Sequence, residues 1–473
     1  MARRTRIWQI PSDLETGGSV RKHRGIVLVA GLLGCAHPAP TPRPVAPPYD
    51  TAVGVATFDR AWRIVYETHF DTTFNGVDWL ALRDELRPRA VAATSTTALR
   101  GVISDMVARL GQSHFALFPR ELADTLDPRN EAEGVVIGDV GLDVRLIGDA
   151  LVVTSVEAGG PADSAGIRPG WAVATIGEDS VAGVLTYLHG RVSRLKPAFL
   201  LWSWAQGRMN GAVGSRCALG MRDASDRVRT IRLVRRPQPS EPVKFGNLPT
   251  FFARAADRAV RTPAGREVGW MWFNFWMAPL LRQLDDAVDR FRGLDGIVID
   301  LRGNRGGVGG MISGVAGHFF TERALLGTFQ TRRSTLQIRA NPRLVRAGGV
   351  RVQPYAGPVA ILVDEASGSA SEVFAGGMQA VGRARVFGAT SVGGVLPAIT
   401  DRLPNGDVLY HAIAEFVTAS GVHLEGRGVV PDEPVPLKRA DLLAGRDPAL
   451  DAALAWIDAE HGRGGQQKQE NGR

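Results

Sequence analysis

A stretch of twenty residues, Val363 to Gly382 (VDEASGSASEVFAGGMQAVG), constrains the fold more than any other part of the chain. It begins at the end of Pro358-Val-Ala-Ile-Leu-Val363, an unbroken apolar run that predicts a buried strand. A turn of small residues then leads to a helical pattern that starts near Ala370. Ser369 would lie at this junction, beside the free N–H groups and the positive dipole end of the helix, which can stabilise an oxyanion. The sequence therefore presents Ser369 as a candidate nucleophile for acyl transfer.

Ser369 also has a purely structural interpretation. Ser369-Ala-Ser-Glu372 matches the capping box, in which a serine caps the helix and a glutamate three residues later bonds back to the cap. Within this stretch alone the cap is the simpler explanation, so the rest of the chain has to decide between the two roles.

Composition supports a multidomain globular protein and excludes several classes of partner. The 473 residues are 44% hydrophobic and 22% charged, which suits two or three domains with their own cores. The formal charge is +8, but no dense basic tract with interleaved aromatic residues occurs, so we expect no nucleic-acid partner. Two cysteines, Cys35 and Cys217, are too few for a disulfide framework or a metal cluster. We expect neither a metal nor a cofactor.

The first 35 residues predict export. Arg21-Lys-His-Arg24 and the apolar segment 25–34 form the basic and hydrophobic regions of a secretory signal that is too short to span a membrane. Leu32-Leu-Gly-Cys35 resembles a bacterial lipobox, which implies that Cys35 is lipidated and becomes the mature N-terminus. We therefore expect an exported protein of the cell envelope or periplasm, lipid-anchored to a membrane, with the outer membrane favoured by Ala36 after the cysteine. The alternative is an ordinary signal peptide with an incidental cysteine.

Three segments that differ in composition and periodicity follow the signal. Residues 36–52 are rich in proline and predict a semi-rigid linker. Helical periodicity then predicts a small helical domain at 53–125, which contains Leu110-Gly-Gln-Ser-His-Phe115. From 133 to 237, short β-rich runs alternate with Gly and Asp.

The segment 133–237 resembles a PDZ domain of the bacterial protease type. The resemblance rests mainly on Gly160-Pro-Ala-Asp-Ser-Ala-Gly-Ile-Arg-Pro-Gly170. It implies a carboxylate-binding loop that would capture the C-terminus of a peptide as an added strand. The loop residues would be Gly141, Leu142, Asp143 and Val144. The alternative is a PDZ fold that serves only as a spacer or lid.

Residues 245–440 alternate between strand and helix patterns, which is typical of a largely parallel α/β sheet. In such a sheet the ligand lies outside the carboxyl ends of the strands. The loop Asp300–Gly307 and the turn Asp364–Ser369 both follow predicted strands, so we expect them to meet there. Residues 441–473 predict a C-terminal helix and a disordered tail.

The order of these parts resembles the carboxy-terminal processing (tail-specific) serine peptidases across nearly the whole mature chain. The parts include the glycine loop Asp300-Leu-Arg-Gly-Asn-Arg-Gly-Gly307 and the late sequence Glu425-Gly-Arg-Gly-Val-Val-Pro-Asp432. The resemblance implies an α/β (α+β multidomain) fold with a small N-terminal helical domain, a PDZ-like β domain and a ClpP/crotonase-like αβ catalytic core. It also implies Ser369 as the nucleophile. The oxyanion hole would combine the backbone N–H of Ala370 with that of Gly306 or Gly307.

The general base is where this chain departs from the better-known branch of the family. That branch uses a lysine whose position is taken here by Gly394. No lysine occurs between Lys244 and Lys438, which excludes a Ser–Lys dyad unless Lys438 reaches in from the end of the core. A serine nucleophile needs another base in its place.

The tricorn-like branch of the family uses a Ser-His pair after the helical region and a glutamate late in the core. Ser113-His114 matches the pair and Glu425 matches the glutamate. The resemblance therefore implies that His114 is the base, near its free pKa, and that Ser113 and Glu425 orient it. Alternatively, His114 is a structural histidine whose ring nitrogens are hydrogen-bonded. The alternative for Glu425 is a structural salt bridge to an arginine. The rival bases are His318, His411 and His423.

These features predict a serine endopeptidase of the cell envelope that cleaves protein or peptide substrates through an acyl-enzyme, with the PDZ domain assisting recognition of the substrate C-terminus. Two other classes stay open. A catalytically inactive adaptor or scaffold of the same fold is favoured by the loss of the lysine and disfavoured by the retained serine, histidine and glycine loop. A crotonase-like acyl-CoA enzyme is disfavoured by the signal and the PDZ features.

Overall fold

The structure is a computed structural model and describes residues 49–121, 137–190, 195–237, 240–243 and 251–470. The predicted signal, the lipobox with Cys35 and most of the predicted linker lie outside these residues. The mixed α/β class predicted from the sequence is confirmed by the order of helices and strands.

The described chain begins with three helices that share one apolar core. They are α1 (Thr51–Thr68), α2 (Trp79–Val91) and α3 (Thr96–Ala108). Each helix begins at a side-chain cap, because Asp50, Asp78 and Ser95 accept hydrogen bonds from backbone N–H groups of the first turn. Helix α1 therefore starts inside the segment that we predicted as linker, which corrects the linker's boundary. The short strand β1 (Ala116–Phe118) follows the helices.

A β-rich middle segment, residues 137–237, has a second core of its own. Its strands are β2 (Ile137–Gly138), β3 (Leu142–Ile147), β4 (Ala150–Val156), β5 (Ala172–Ile176), β6 (Asp179–Ser180), β7 (Gly211–Ala212), β8 (Arg216–Arg222) and β9 (Val228–Val234). Its helices are α4 (Pro161–Ser164), α5 (Val181–His189) and α6 (Pro197–Met209). The main sheet has the order β3-β4-β5-β8-β9, so β3 is an edge strand.

The third part of the chain has thirteen strands in its described residues, and six of them form its central sheet. Its strands are β10 (Glu241–Val243), β11 (Phe251–Ala253), β12 (Ala255–Arg261), β13 (Glu267–Phe273), β14 (Gly296–Asp300), β15 (Ala324–Thr331), β16 (Thr335–Ala340), β17 (Val359–Val363), β18 (Arg385–Gly388), β19 (Ala398–Arg402), β20 (Val408–Ala412), β21 (Ala414–Thr418) and β22 (Glu433–Pro434). Its helices are α7 (Leu281–Phe291), α8 (Gly310–Ala316), α9 (Ala370–Ala380), α10 (Arg439–Leu443) and α11 (Pro448–Glu470). The central sheet has the order β12-β13-β14-β17-β18-β22, and every pair except β12–β13 is parallel.

Both faces of the central sheet are covered, which explains the unbroken apolar runs of its middle strands. All five residues of β14 and all five of β17 are buried. Helices α7, α8 and α9 pack on one face. Helix α11 covers the other face, where Ala453, Leu454 and Ile457 contact the sheet. The C-terminal helix therefore completes the core.

Two small antiparallel sheets flank the central one, and the sequence did not predict their strands. One has the order β16-β15-β21 and the other β1-β20-β19. The pairing of β1 with β20, with Ala116 opposite Tyr410, ties the end of the helical part to the third part of the chain. This pairing fixes the position of the loop just before β1, which carries Ser113 and His114.

Candidate active site

Ser369 lies at the tight junction between β17 and α9, as the sequence predicted. Its backbone has φ 53° and ψ −118°, a conformation that costs a non-glycine residue about 1–3 kcal/mol. The junction is held from two sides: the Ser369 N–H donates to the Gly394 carbonyl at 2.9 Å and to the Glu372 carboxylate at 3.0 Å. The strained turn presents the Ser369 side chain at the N-terminus of an eleven-residue helix.

The glycine loop passes directly beside this serine. A Cβ atom on Gly306, which has φ 99°, would lie 2.5 Å from the Ser369 Cβ and 2.8 Å from the Ala370 nitrogen. Only glycine allows the two backbones to come so close. The Gly306 N–H is already used, because it donates to the Asn304 side chain at 3.0 Å. Among the described residues, the N–H groups of Gly307 and Ala370 have no hydrogen-bond acceptor.

Asn304 joins the glycine loop to the Ser369 turn. Its backbone carbonyl accepts the Gly368 N–H at 2.9 Å and the Ser371 hydroxyl at 3.1 Å. Its side-chain amide donates to the Phe273 carbonyl of β13 at 2.8 Å. One buried asparagine therefore fixes both loops at the carboxyl ends of neighbouring parallel strands, where the sequence placed them.

Ser113, His114 and Glu425 form a hydrogen-bonded chain. The Ser113 hydroxyl donates to Glu425 Oε2 at 2.9 Å and lies 2.7 Å from His114 Nδ1. A hydroxyl has one proton, so Ser113 accepts from Nδ1 while it donates to the carboxylate. This arrangement puts the proton of a neutral His114 on Nδ1 and leaves Nε2 as an unprotonated acceptor.

The backbone and surroundings of His114 also distinguish it from an ordinary loop histidine. His114 has φ 61°, and only five non-glycine residues of the described chain have a positive φ; Ser369 is another. The imidazole packs against Tyr410 with ring centroids 5.6 Å apart. Desolvation by the surrounding protein lowers the pKa of His114 to about 4. The ring is therefore neutral at neutral pH.

Gly394 connects the serine and the histidine loops. Its carbonyl accepts the Ser369 N–H at 2.9 Å, while a Cβ atom added to it would contact Ser113 Cβ at 3.4 Å and Ser113 Oγ at 3.5 Å. Ser113 and Ser369 therefore lie on two sides of one glycine. The Ser369 hydroxyl and the His114 ring are not hydrogen-bonded to each other here, and such contacts are commonly long in unliganded sites.

The three rival histidines are engaged elsewhere. His318 Nε2 lies 2.8 Å from Asp285, and Arg292 donates to its Nδ1 at 3.0 Å. His411 lies 2.8 Å from Asp401. His423 is 60% exposed and lies 2.6 Å from Glu415. Each has a carboxylate partner, and none has a hydrogen bond to a residue of the Ser369 turn.

Glu372 does more than the capping box predicted. Its buried carboxylate accepts hydrogen bonds from the Ser391 hydroxyl at 2.5 Å, from the N–H groups of Gly393 and Gly394 at 2.7 and 3.0 Å, and from Ser369. Desolvation raises its pKa to about 7. The glutamate thereby locks the nucleophile turn to the loop 391–394, a link between distant segments that no local pattern could reveal.

Lys196 is a second residue that the sequence did not single out. It precedes α6 of the middle segment and donates its ammonium protons to the carbonyl oxygens of Thr390, at 3.4 Å, and of Ser391. Desolvation lowers its pKa. A lysine does therefore reach the loop next to the site, although its protons are directed at backbone carbonyls.

The predicted peptide loop lines a cavity of about 280 Å³ between the middle segment and the third part of the chain. Gly141, Leu142 and Asp143 line it, but Val144 is fully buried in the core and does not. Across the cavity lie Arg254 and Arg305. Arg305 stacks on Trp202 at 4.3 Å, and desolvation lowers its pKa to about 10.

Among the described residues, no helix is long and apolar enough to cross a bilayer. No group of three or more His, Cys, Asp or Glu side chains among them could hold a metal ion.

Comparison with known families gives two matches within the chain. The family model Peptidase family S41 matches residues 274–435, and the Tricorn protease C1 domain matches residues 56–108. The first range contains Ser369, Glu425 and the glycine loop. Ser113 and His114 follow shortly after the second.

Proteins similar to this chain in sequence include processing peptidases. The chain is 27% identical over 392 residues to the chloroplastic C-terminal processing peptidase of Tetradesmus obliquus, which covers 79% of this chain and 76% of the relative. It is 27% identical over 384 residues to the carboxyl-terminal-processing protease of Picosynechococcus sp., covering 80% and 82%.

Solved structures share the fold at lower sequence identity. The photosystem II D1 C-terminal processing protease has a TM-score of 0.54 at 22% identity and covers 81% of this chain and 93% of its own. Mature CPAF complexed with lactacystin has a TM-score of 0.58 at 13% identity and covers 86% and 97%. The match of residues 274–435 to Peptidase family S41 and the similarity to carboxyl-terminal-processing proteases support a serine-type peptidase, and the solved structures show that the fold is shared.

Proposed function

We propose that this protein is a serine endopeptidase that cleaves protein or peptide substrates through an acyl-enzyme, with Ser369 as nucleophile and His114 as general base. The observation that carries the proposal is the chain from Glu425 through Ser113 to His114 Nδ1. It supplies an oriented, neutral imidazole on a chain that lacks the lysine of the related branch.

The acylation step uses these residues in named roles. His114 Nε2 takes the proton of the Ser369 hydroxyl while Oγ bonds to the carbonyl carbon of the scissile peptide. When the C–N bond breaks, the imidazolium returns that proton to the leaving amine. Water then attacks the acyl-enzyme with the same base, which releases the carboxylate product and restores Ser369.

The oxyanion formed in these steps is proposed to bind the N–H groups of Gly307 and Ala370. Both lie next to Ser369 and have no acceptor among the described residues, whereas the Gly306 N–H donates to Asn304. The start of α9 adds the positive end of a helix dipole. Of the two glycines that the resemblance left open, Gly307 is therefore the better donor.

We also propose that the middle segment acts as a PDZ domain that helps to recognise the substrate C-terminus. The edge strand β3 has a free side to which an extended peptide could add. The cavity beside it, lined by Gly141, Leu142 and Asp143, is also lined by Arg254 and Arg305, whose positive charge suits a terminal carboxylate.

The proposed location is the cell envelope, with a lipid on Cys35 anchoring the protein to the outer membrane. The support is the basic and apolar signal pattern and the lipobox in the sequence. If Cys35 is lipidated, a fatty-acid precursor should label the wild type and not Cys35→Ser. Equal labelling of both would remove the anchor from the proposal without affecting the peptidase.

A fluorophosphonate probe tests the proposed chemistry. The purified protein should react at one residue, and mapping of the labelled peptide should identify Ser369. Ser369→Ala should lose both labelling and hydrolysis, while its unfolding free energy changes by no more than about 2 kcal/mol, the upper range for losing a helix cap. Ser420→Ala, at an exposed serine of the same domain, is the control and should still label.

The inactive adaptor is the competing function, and the same experiment separates the two. A folded wild-type protein that neither labels nor hydrolyses any of a set of casein-like substrates would support the adaptor. Labelling that persists in Ser369→Ala would eliminate Ser369 as the nucleophile.

A further inference from the structure

The stretch from Arg323 to Gln353 takes no part in the proposed chemistry but has an unusual charge pattern. It contains seven arginines and no aspartate or glutamate, although the 48 acidic residues of the 473-residue chain would place about three in a stretch of this length. Some of its arginines have structural partners: Arg343 pairs with Asp285 at 2.6 Å, and Arg332 donates to the Tyr66 carbonyl at 2.7 Å. Residues 344–352 lie between these contacts and the next buried strand, and they project from the surface.

Residues 344–352 form a small projection that we call the arginine hairpin. Val345 and Arg351 pair as an antiparallel bridge. The Val352 N–H donates to the Leu344 carbonyl at 2.9 Å, and the Arg346 N–H donates to the Val350 carbonyl at 3.0 Å. Two glycines with φ of 85° and 78°, at 348 and 349, turn the tip. These hydrogen bonds give the hairpin a formed shape before it meets any partner.

The surface of the arginine hairpin combines apolar and cationic side chains. Leu344, Val345 and Val350 are 49%, 48% and 47% exposed. Arg346 and Arg351 are exposed as well, and neither forms a salt bridge with any carboxylate of the described chain. Apolar side chains that can enter the headgroup layer, flanked by arginines that can bind lipid phosphates, are typical of interfacial membrane segments.

The hairpin lies at the end of the central sheet opposite to the catalytic loops. Its base is fixed where the Tyr355 N–H donates to the His318 carbonyl at 2.7 Å and where Arg383 donates to the Gly357 carbonyl at 3.1 Å. Tyr355 and Gly357 precede the amino end of β17 and Arg383 precedes that of β18, whereas Ser369 follows the carboxyl end of β17. A surface bound at the hairpin would therefore leave the Ser369 edge of the sheet pointing away from it.

We propose that the arginine hairpin docks on the surface of an anionic phospholipid bilayer and orients the peptidase with its active site away from the membrane. The inference rests on the envelope location proposed above, but not on the lipid at Cys35. Charge complementarity supports a bilayer, because Arg346 and Arg351 are exposed, form no salt bridge within the described residues, and lie in a stretch that contains no acidic residue. A lipid anchor alone would hold the protein near the membrane without fixing its orientation.

The test places an environment-sensitive dye at the tip of the hairpin in the full-length chain. Cys35→Ser removes the lipidation site, the remaining Cys217 is buried, and Val345→Cys receives the dye. With vesicles of phosphatidylcholine and phosphatidylglycerol the dye emission should shift to the blue, and high salt should reverse the shift. Vesicles of phosphatidylcholine alone should give no shift. Because the signal is local, binding by residues 1–48 does not produce it.

Matched variants make the result specific to the arginine hairpin. Arg346→Glu/Arg351→Glu should weaken the apparent partition of the dye-labelled protein at least about tenfold, since each basic residue near an anionic surface contributes measurably. Arg60→Glu/Arg63→Glu, at two exposed arginines of α1, should not. A dye at Leu80→Cys, an apolar position that is 57% exposed, should not shift.

Three results would overturn the proposal: no shift at residue 345, an equal shift with neutral vesicles, or a shift that survives the charge reversal. No shift at residue 345 would leave an acidic protein or a second copy of the chain as the partner of the hairpin. An equal shift with neutral vesicles, or one that survives the charge reversal, would show that the arginines and anionic lipids do not drive the docking. Hydrolysis of a soluble peptide by the charge-reversed variant should match the parent, so a failure of the peptidase proposal is detected separately.

Discussion

The serine half and the histidine half of the proposed active site are built in different ways. The serine half is local: Ser369, Ala370 and Glu372 lie within four residues of one strand–turn–helix junction. The histidine half is assembled from two segments that are 312 residues apart, joined by hydrogen bonds of 2.8 and 2.9 Å between Ser113 and Glu425. Backbone geometry therefore fixes the nucleophile, whereas side-chain hydrogen bonds between remote segments fix the base.

Removal of the base should have the largest effect. His114→Ala should lower kcat by about 10⁴-fold or more, because the serine loses the base that is proposed to take its proton. The double variant Ser369→Ala/His114→Ala should be hardly worse than either single variant, since the residues act as a unit. Steady-state hydrolysis of a fluorogenic peptide measures both.

The rival histidines are the controls for this prediction. His318→Gln, His411→Gln and His423→Gln should keep most of the activity of any folded protein they give. Near-normal turnover in His114→Ala, combined with inactivity in one of these three, would show that the histidine half has been assigned to the wrong residue.

A pair of glycines tests whether backbone geometry really fixes the serine half. Gly306→Ala should reduce kcat by roughly 10²–10³-fold, comparable to the loss of an oxyanion donor, because its Cβ would lie 2.5 Å from the Ser369 Cβ. Gly394→Ala should lose far less, since its Cβ would meet Ser113 at an ordinary 3.4 Å. Equal losses in the two variants would contradict the close approach as the cause.

The orienting groups should matter less than the base itself. Ser113→Ala and Glu425→Gln should each reduce kcat by roughly 10²-fold with little change in KM, because they set the tautomer of His114 and do not take the proton. Ser113→Thr, which keeps the hydroxyl, should recover part of the activity. A purely structural role for Ser113 would instead lower thermal stability and leave kcat unchanged in the folded fraction.

The smallest expected effect is a shift of the acid limb in the pH dependence of kcat/KM. Burial lowers the pKa of His114 to about 4, and the neutral form is the base, so activity is lost only as the pH falls through this lowered value. The acid limb of kcat/KM should therefore lie below the ordinary histidine value of about 6.5. This revises the expectation of a near-free pKa drawn from the sequence. An acid limb above 6.5 would contradict it.

Sequence reasoning was most successful where function depends on neighbouring residues. The buried strand before Ser369, the turn and the helix from Ala370 are all present, and the glycine loop follows β14 as expected. Ser113, His114 and Glu425 were found only through a family motif, and the structure brings them into hydrogen-bonding contact.

The features that escaped prediction depend on contacts between distant segments. Periodicity could not reveal that Glu372 binds the loop 391–394, or that Lys196 of the middle segment reaches the same loop. Nor could it show which glycine N–H is already used by Asn304. The strands β15, β16 and β19 to β21 were missed because their apolar alternation is weak and their pairing partners are remote in sequence.

Gly394 gives the site a property that neither half has alone. A Cβ atom on Gly394 would point toward Ser113 and lie 3.4 Å from its Cβ atom. A longer side chain at residue 394 would therefore start in contact with the hydroxyl that orients the imidazole of His114. The carbonyl of the same residue accepts the N–H of the nucleophile, so a change of base at this position would act on the peptide unit that also holds Ser369.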